Sequence, residues 1–184
     1  MIESLIRKTA EHLDQQEIPY MIIGGQAVLV YGRPRLTRDI DITLGVDTDK
    51  LASIEEVCKT LKLRILADNP QEFAQNTKVL PTEEPDLKIR VDFIFSFTPY
   101  EAQAIKKAKR VLIADYPVKF ASCEDVIIHK MVAGRAIDEE DIVGILARNR
   151  DAIDFAYIEK WLSEFGKIVE HEGILERFKG LLKE

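Results

Sequence analysis

Gly24-Gly25-Gln26-Ala27-Val28-Leu29-Val30-Tyr31-Gly32-Arg33-Pro34-Arg35-Leu36-Thr37-Arg38-Asp39-Ile40-Asp41-Ile42 is the stretch on which the reading of this chain turns. An apolar run, Tyr20 to Ile23, leads into the glycine pair, and thirteen intervening residues separate the pair from Asp39. Side chains alternate along a strand, so Asp39 and Asp41 share one face while Ile40 and Ile42 turn to the core. Two carboxylates on one face are free to share a cation. The glycine pair reads as a strand-to-helix turn, where a backbone without Cβ lets phosphates come close. These parts together predict a site for a metal-bound nucleoside triphosphate.

Working outward, Ile2, Leu5, Ile6, Thr9 and Leu13 recur at helical spacing and predict an amphipathic helix over 2–16. Tyr20–Ile23 reads as a short buried strand, residues 26–31 as a short helix ending near Gly32, and Arg38–Leu44 as the strand bearing the two Asp residues. Asp47 is placed to cap a helix over 48–62. Residues 67–86 hold three prolines and several acids, and read as a loop with one short strand near Lys78–Leu80. In Leu87–Phe95, residues Ile89, Val91, Phe93 and Phe95 alternate with Arg90 and Asp92, predicting a strand with one polar face. Pro99 opens a helix to Lys107, and Arg110–Ala114 reads as a further strand.

From Ser122 onward the pattern is helical. Ser122 with Asp125 resembles a capping box with Asp in place of Glu, opening a helix that stops near Gly134. Asp138 is placed to cap a helix over 139–148, a third helix is expected over 154–169, and a short fourth closes the chain. The expected architecture is α+β: a mixed sheet flanked by helices over 1–120, then a helical region over 121–184.

Composition narrows the function classes. With 184 residues, one such chain buries roughly two thirds or more of its unfolded surface and needs no staples. A net charge of −6 argues against a general nucleic-acid binder. Local basic runs remain: Arg33, Arg35 and Arg38 beside the carboxylates, and Lys106, Lys107, Lys109 and Arg110, which read as a solvated helix end. No apolar run nears the ~20 residues a membrane span requires, and the N-terminus lacks a signal-peptide layout. Cys58 and Cys123 form no Cys-x-x-Cys pair and read as free thiols of a cytoplasmic protein. His12, His129 and His171 cluster with neither cysteines nor the Asp residues, so zinc is not expected. Nothing matches G-x-x-x-x-G-K-[ST] or G-x-G-x-x-G, which excludes P-loop and dinucleotide-binding readings.

Phosphoryl and nucleotidyl transfer need in-line positioning and neutralised charge more than covalent chemistry. Carboxylates holding Mg²⁺ provide this. Asp92 is the one acid in the middle of an apolar strand, on its polar face, and is proposed to complete a triad with Asp39 and Asp41, as metal ligand or as base. Each piece has a plain structural alternative: a solvated strand end, an edge-strand charge, an ordinary turn. Their order along the chain carries the reading.

That order resembles the DNA-polymerase-beta-like nucleotidyltransferase superfamily, whose signature is Gly-Gly or Gly-Ser followed by Asp-x-Asp or Asp-x-Glu. The AbiEii-type branch, which includes toxins of toxin–antitoxin pairs, is nearer. Arg35-Leu36-Thr37-Arg38-Asp39-Ile40-Asp41 is similar to its Arg-x-Thr-x-Asp-x-Asp. Lys130-Met131-Val132-Ala133-Gly134-Arg135, with Asp138 and Asp141 following, is similar to its later Lys and Arg-Asp motif. Lincosamide and aminoglycoside nucleotidyltransferases share the first stretch.

The resemblance implies that Gly24 and Gly25 cradle the triphosphate, and that Asp39, Asp41 and Asp92 bind Mg²⁺ or Mn²⁺. It implies that Thr37 and Arg38 contact phosphate or order the loop, and that Lys130 neutralises the triphosphate from the helical region. Arg135, Asp138 and Asp141 read equally as a helix-capping set and as part of the catalytic apparatus. The expected activity is Mg²⁺-dependent transfer of a nucleoside monophosphate from ATP or another triphosphate to a hydroxyl of an RNA such as tRNA, a protein or a small molecule. The alternative is a non-catalytic nucleotide-binding or partner-binding member of a toxin–antitoxin-like pair, with a cognate antitoxin or helical partner. Many AbiEii-type proteins are longer, so the acceptor site here is expected to be small, shared with a second subunit, or lost.

Overall fold

The computed structural model describes residues 1–96 and 98–183, which form two compact units: residues 1–26 with 37–120, and residues 27–36 with 121–184. The first unit is built on a mixed seven-stranded sheet. Its strands are β1 (Tyr20–Ile23), β2 (Ile40–Leu44), β3 (Arg64–Ile65), β4 (Val79–Glu84), β5 (Ile89–Phe95), β6 (Lys109–Ile113) and β7 (Tyr116–Phe120), in the order β3-β4-β5-β2-β1-β7-β6. The β2–β5 and β1–β7 pairings are parallel and the others antiparallel. The helices are α1 (Ile2–Gln15), α2 (Gly24–Tyr31), α3 (Leu51–Leu61), α4 (Pro70–Thr77), α5 (Pro99–Lys107), α6 (Cys123–Ala133), α7 (Ala136–Asn149), α8 (Phe155–Phe165) and α9 (Ile174–Leu181).

The expected α+β class and the central alternations hold. Ile40, Ile42, Val91 and Phe93 are each at most 1% exposed, so the β2–β5 seam is the middle of the core. The helix expected at 2–16 is α1, with Leu5, Ile6, Ala10 and Leu13 buried.

Several boundaries differ. Residues 67–86 are not a loop. Asn69 accepts from the Glu72 amide and Pro70 takes the first turn, which starts α4. Lys78, in the left-handed region at φ 59°, ends it. The chain then pairs along all of β5 as β4. Strand β7 runs across Pro117, where no strand was expected. It pairs with β6 through a two-residue turn, Ala114-Asp115, with both residues at positive φ, and with β1 from far along the chain. Asp47 caps a 3-10 turn, Thr48–Lys50, ahead of α3. Asp39 precedes β2 rather than lying in it, and the expected helix over 154–169 ends at Phe165.

In the second unit, α6 packs on α7, α8 and α9. Ser122 caps α6 as expected, but its hydroxyl donates to the Asp125 carboxylate (2.6 Å) rather than leaving that carboxylate to the cap backbone. Residues 27–36 are tied in by the Tyr31 hydroxyl donating to the Ala121 carbonyl (2.9 Å) and by Asn149 donating to the Tyr31 carbonyl (2.7 Å). Asp138 sits at the third position of α7, not at its cap. Arg135 is the cap residue, and the Asp138 carboxylate accepts from its amide.

Inside α6, the Nε2 of His129 is shut off from water, and burial pulls this imidazole down to about 4. A base whose folded value lies below its ordinary 6.5 binds its proton more readily in the unfolded chain. Stability is therefore complete above about pH 6.5 and falls as the pH drops toward 4, with a slope of at most about 1.4 kcal/mol per pH unit. Urea unfolding between pH 7.5 and 4.5 measures this. A His129→Phe variant is expected to lose most of the slope.

Candidate active site

The glycine pair opens α2 directly from the end of β1, as the strand-to-helix turn requires. Gly24 has φ +63°, a left-handed conformation that side chains rarely adopt, and a Cβ placed there would stand 2.0 Å from Asp41 Oδ2. A Cβ on Gly25 would stand 2.3 Å from Thr37 Oγ1. The turn is thus bare backbone pressed against one carboxylate and one hydroxyl, a cradle that any side chain would fill. The Gln26 amide donates to the Asp39 carbonyl (3.3 Å), fastening the turn to the approach to β2.

Asp41 faces Asp92 across the parallel β2–β5 pair as its register partner. Partners in register share a face of the sheet, so the parallel pairing brings together two carboxylates 51 residues apart in sequence. Asp39 lies one residue before β2, exposed. Burial and the charge of Asp39 push the Asp92 carboxyl up, while Arg90 opposes the shift. Arg90, two residues earlier on the same face of β5, donates from Nη2 to both Asp92 oxygens (3.1 and 3.0 Å). Asp39 and Asp41 act on the same guanidinium at longer range. Sequence analysis did not single out Arg90. Its signal was the i, i+2 spacing to Asp92 on a strand's polar face.

A hard, all-oxygen donor set of this kind suits Mg²⁺ or Mn²⁺ rather than softer metals. As the side chains stand, no three metal-ligating groups converge among the described residues. Arg90 supplies the positive charge beside Asp92.

The later motif belongs to the second unit. Lys130 is 4% exposed, and its Nζ lies 2.6 Å from Asp138 Oδ1 and 2.8 Å from Asp141 Oδ2. Arg135 also donates to Asp138, from Nε at 2.7 Å and Nη2 at 3.0 Å. Arg35 grips Asp141 with two parallel bonds, 2.8 and 2.9 Å. Burial alone would push Asp138 and Asp141 up, but these donors outweigh it and hold both carboxyls below the ordinary range. The five residues form one ion cluster joining the 27–36 segment, α6 and α7, in which Lys130, Asp138 and Asp141 are buried while Arg135 and Arg35 close it from the solvent side. An open cleft of about 610 Å³ in the same unit is lined by Arg33, Ile137, Glu139 and Glu140, among others. Thr37 stands over Gly25, whereas Arg38 is exposed.

The fold is shared with solved nucleotidyltransferases. The antibiotic-resistance factor ANT(2'')-Ia, in complex with adenylyl-2''-tobramycin, superposes with a TM-score of 0.59 at 18% identity, over 96% of this chain and 98% of that one. An antigenic nucleotidyltransferase-like protein from Paracoccidioides brasiliensis gives 0.56 at 18% identity, over 95% and 91%. The lincosamide antibiotic adenylyltransferase LnuA, with lincomycin bound, gives 0.50 at 14%, over 72% and 89%. No curated protein matches the chain. No helix among the described residues is long and apolar enough to cross a membrane. Residues 13–180 match the family described as nucleotidyl transferase AbiEii toxin, type IV toxin–antitoxin system. With Gly24-Gly25, Asp39-x-Asp41 and Asp92 lying in that span, the chain belongs to the AbiEii nucleotidyltransferase family, a family of enzymes.

Proposed function

We propose that the first unit binds a nucleoside triphosphate with Mg²⁺ or Mn²⁺ and transfers its nucleoside monophosphate to an acceptor hydroxyl. The observation that carries this is the packing of Gly24 against Asp41, with Asp92 in register beside it. Asp41 and Asp92 would hold the metal, with Asp39, exposed one residue before β2, as the third ligand. Bound there, the metal neutralises phosphate charge and makes the α-phosphorus more electrophilic.

The chain's own groups do the rest. The α2 N-terminus and the bare Gly24-Gly25 backbone receive phosphate oxygens, and Thr37 and Arg38 order or contact them. The acceptor oxygen bonds to the α-phosphorus as the bond to pyrophosphate breaks. Asp92, on the same face as Asp41, is placed to take the hydroxyl proton. Lys130 is bound by Asp138 and Asp141, so in this reading it, Arg135 and the two carboxylates set α6 against α7. The acceptor is an RNA, a protein or a small molecule, and ATP is one candidate donor.

Thermal-shift titration with ATP, GTP, CTP and UTP, each with and without Mg²⁺, tests the reading. A metal-dependent rise is expected with at least one triphosphate. At one hundred times Kd it corresponds to roughly 2.7 kcal/mol. Asp39→Asn and Asp92→Asn should each shrink it. Retention of the full metal-dependent shift in both variants would refute the assignment. Pyrophosphate release separates an enzyme from the alternative, a non-catalytic member of a toxin–antitoxin pair that instead co-purifies with a cognate antitoxin or helical partner.

A further inference from the structure

Arg90 is a strand residue with a choice of partners. Across the antiparallel β4–β5 pair its register partner is Glu83. Glu83 is already bound by Arg64 at 2.7 Å and flanked by Lys88 at 3.6 Å. Arg90 instead folds along its own strand and donates to both oxygens of Asp92. Its side chain stays half-exposed, whereas that of Asp92 is 20% exposed. The guanidinium can therefore swing into solvent while the carboxylate stays fixed on the sheet.

This contact bears on cation binding. A carboxylate coordinates a divalent ion through the oxygen lone pairs that Arg90 now engages. A guanidinium and a divalent ion also repel each other at such range. Resting on the carboxylate reading above, we infer that Arg90 is an internal counter-ion of this site, which competes with a divalent cation for Asp92. Metal binding requires the guanidinium to release Asp92, so Arg90 weakens the site for metal alone. Released, Arg90 remains on the face that carries Asp41 and Asp92, two residues along β5 from the register partner of Asp41, where a triphosphate would bring its negative charge. Arg90 thus exchanges a carboxylate for a phosphate partner, which makes metal without nucleotide a poor ligand and metal with nucleotide a good one.

The test is Mn²⁺ binding followed by electron paramagnetic resonance of the free ion, without nucleotide. Arg90→Gln is expected to bind Mn²⁺ roughly three- to fivefold more tightly than wild type, the range set by a partly exposed ion pair. Arg90→Lys, which keeps the charge, should stay near wild type. Lys59→Gln, an exposed change on α3 that removes the same charge and leaves Glu83 and Asp92 with their partners, should change nothing. Unchanged or weaker binding by Arg90→Gln overturns the inference. Equal tightening by Lys59→Gln does so too, since it would reduce the effect to net charge. Asp92→Asn separates the two readings. If it leaves Mn²⁺ binding intact, the carboxylate site itself is wrong. If it weakens binding while Arg90→Gln has no effect, only the role of Arg90 fails.

Discussion

Gly24→Ala is expected to abolish metal-dependent triphosphate binding and to lower stability, the largest functional loss predicted for a one-carbon change. Two costs combine. A residue with a Cβ at φ +63° pays roughly 1–2 kcal/mol for the left-handed conformation. The new methyl would also overlap Asp41, whose Oδ2, Cγ and Cβ lie 2.0, 2.9 and 3.2 Å from its position. Asp41 must then leave the face it shares with Asp92, or β2 must shift against β1. Either removes a carboxylate from the site and fills the phosphate cradle. Thermal unfolding with and without Mg²⁺-triphosphate measures both effects. Gly180→Ala, where nothing lies within 4 Å of the new Cβ, is the control. It should keep the full ligand shift and be neutral or stabilising, because Ala outranks Gly in a helix. If Gly24→Ala kept a full ligand shift, the cradle would not be where phosphate binds.

Lys130→Met should cost about 3 kcal/mol in urea unfolding at pH 7. It removes the ammonium between Asp138 and Asp141, whose side chains are 0% and 5% exposed. Breaking one partner of a buried ion pair leaves uncompensated charge. Arg135 and Arg35 still hold the two carboxylates, which keeps the loss at the lower end of the known range. The pH dependence carries the signature. Both folded carboxyls lie below the ordinary 3.8, so their contribution is complete above that value and is lost as the pH falls through the lowered one. The gap between wild type and Lys130→Met should therefore narrow below about pH 4. A variant that kept its stability and lost the triphosphate shift would instead return Lys130 to the nucleotide.

The site was more legible than its surroundings. The glycine turn, the Asp-x-Asp and the polar face of β5 are local patterns: each depends on alternation or on a missing Cβ within a few residues, which composition alone displays. Strand β7 was missed because Pro117 masked a short alternation, in which Val118 and Phe120 turn to the core while Pro117 and Lys119 do not. Hydrogen bonds from β6 and β1 on its two sides make it a strand. Residues 67–86 misled because prolines read as breaks, whereas Pro70 occupies a helix's first turn, where its missing N–H costs nothing.

What the order of residues determined by itself was the family and the α+β class, because these follow from side-chain chemistry at fixed short spacings. What only the tertiary structure decided was which charges meet. Lys130, Arg135, Asp138 and Asp141 carried two readings in sequence, and the packing of α6 on α7 brought them into one ion cluster with Arg35. Arg90 had two carboxylates within reach, Glu83 and Asp92, and turned to Asp92 while Arg64 and Lys88 served Glu83. A long, flexible cation selects its partner by desolvation and competition in three dimensions, and no local period in the sequence records that outcome.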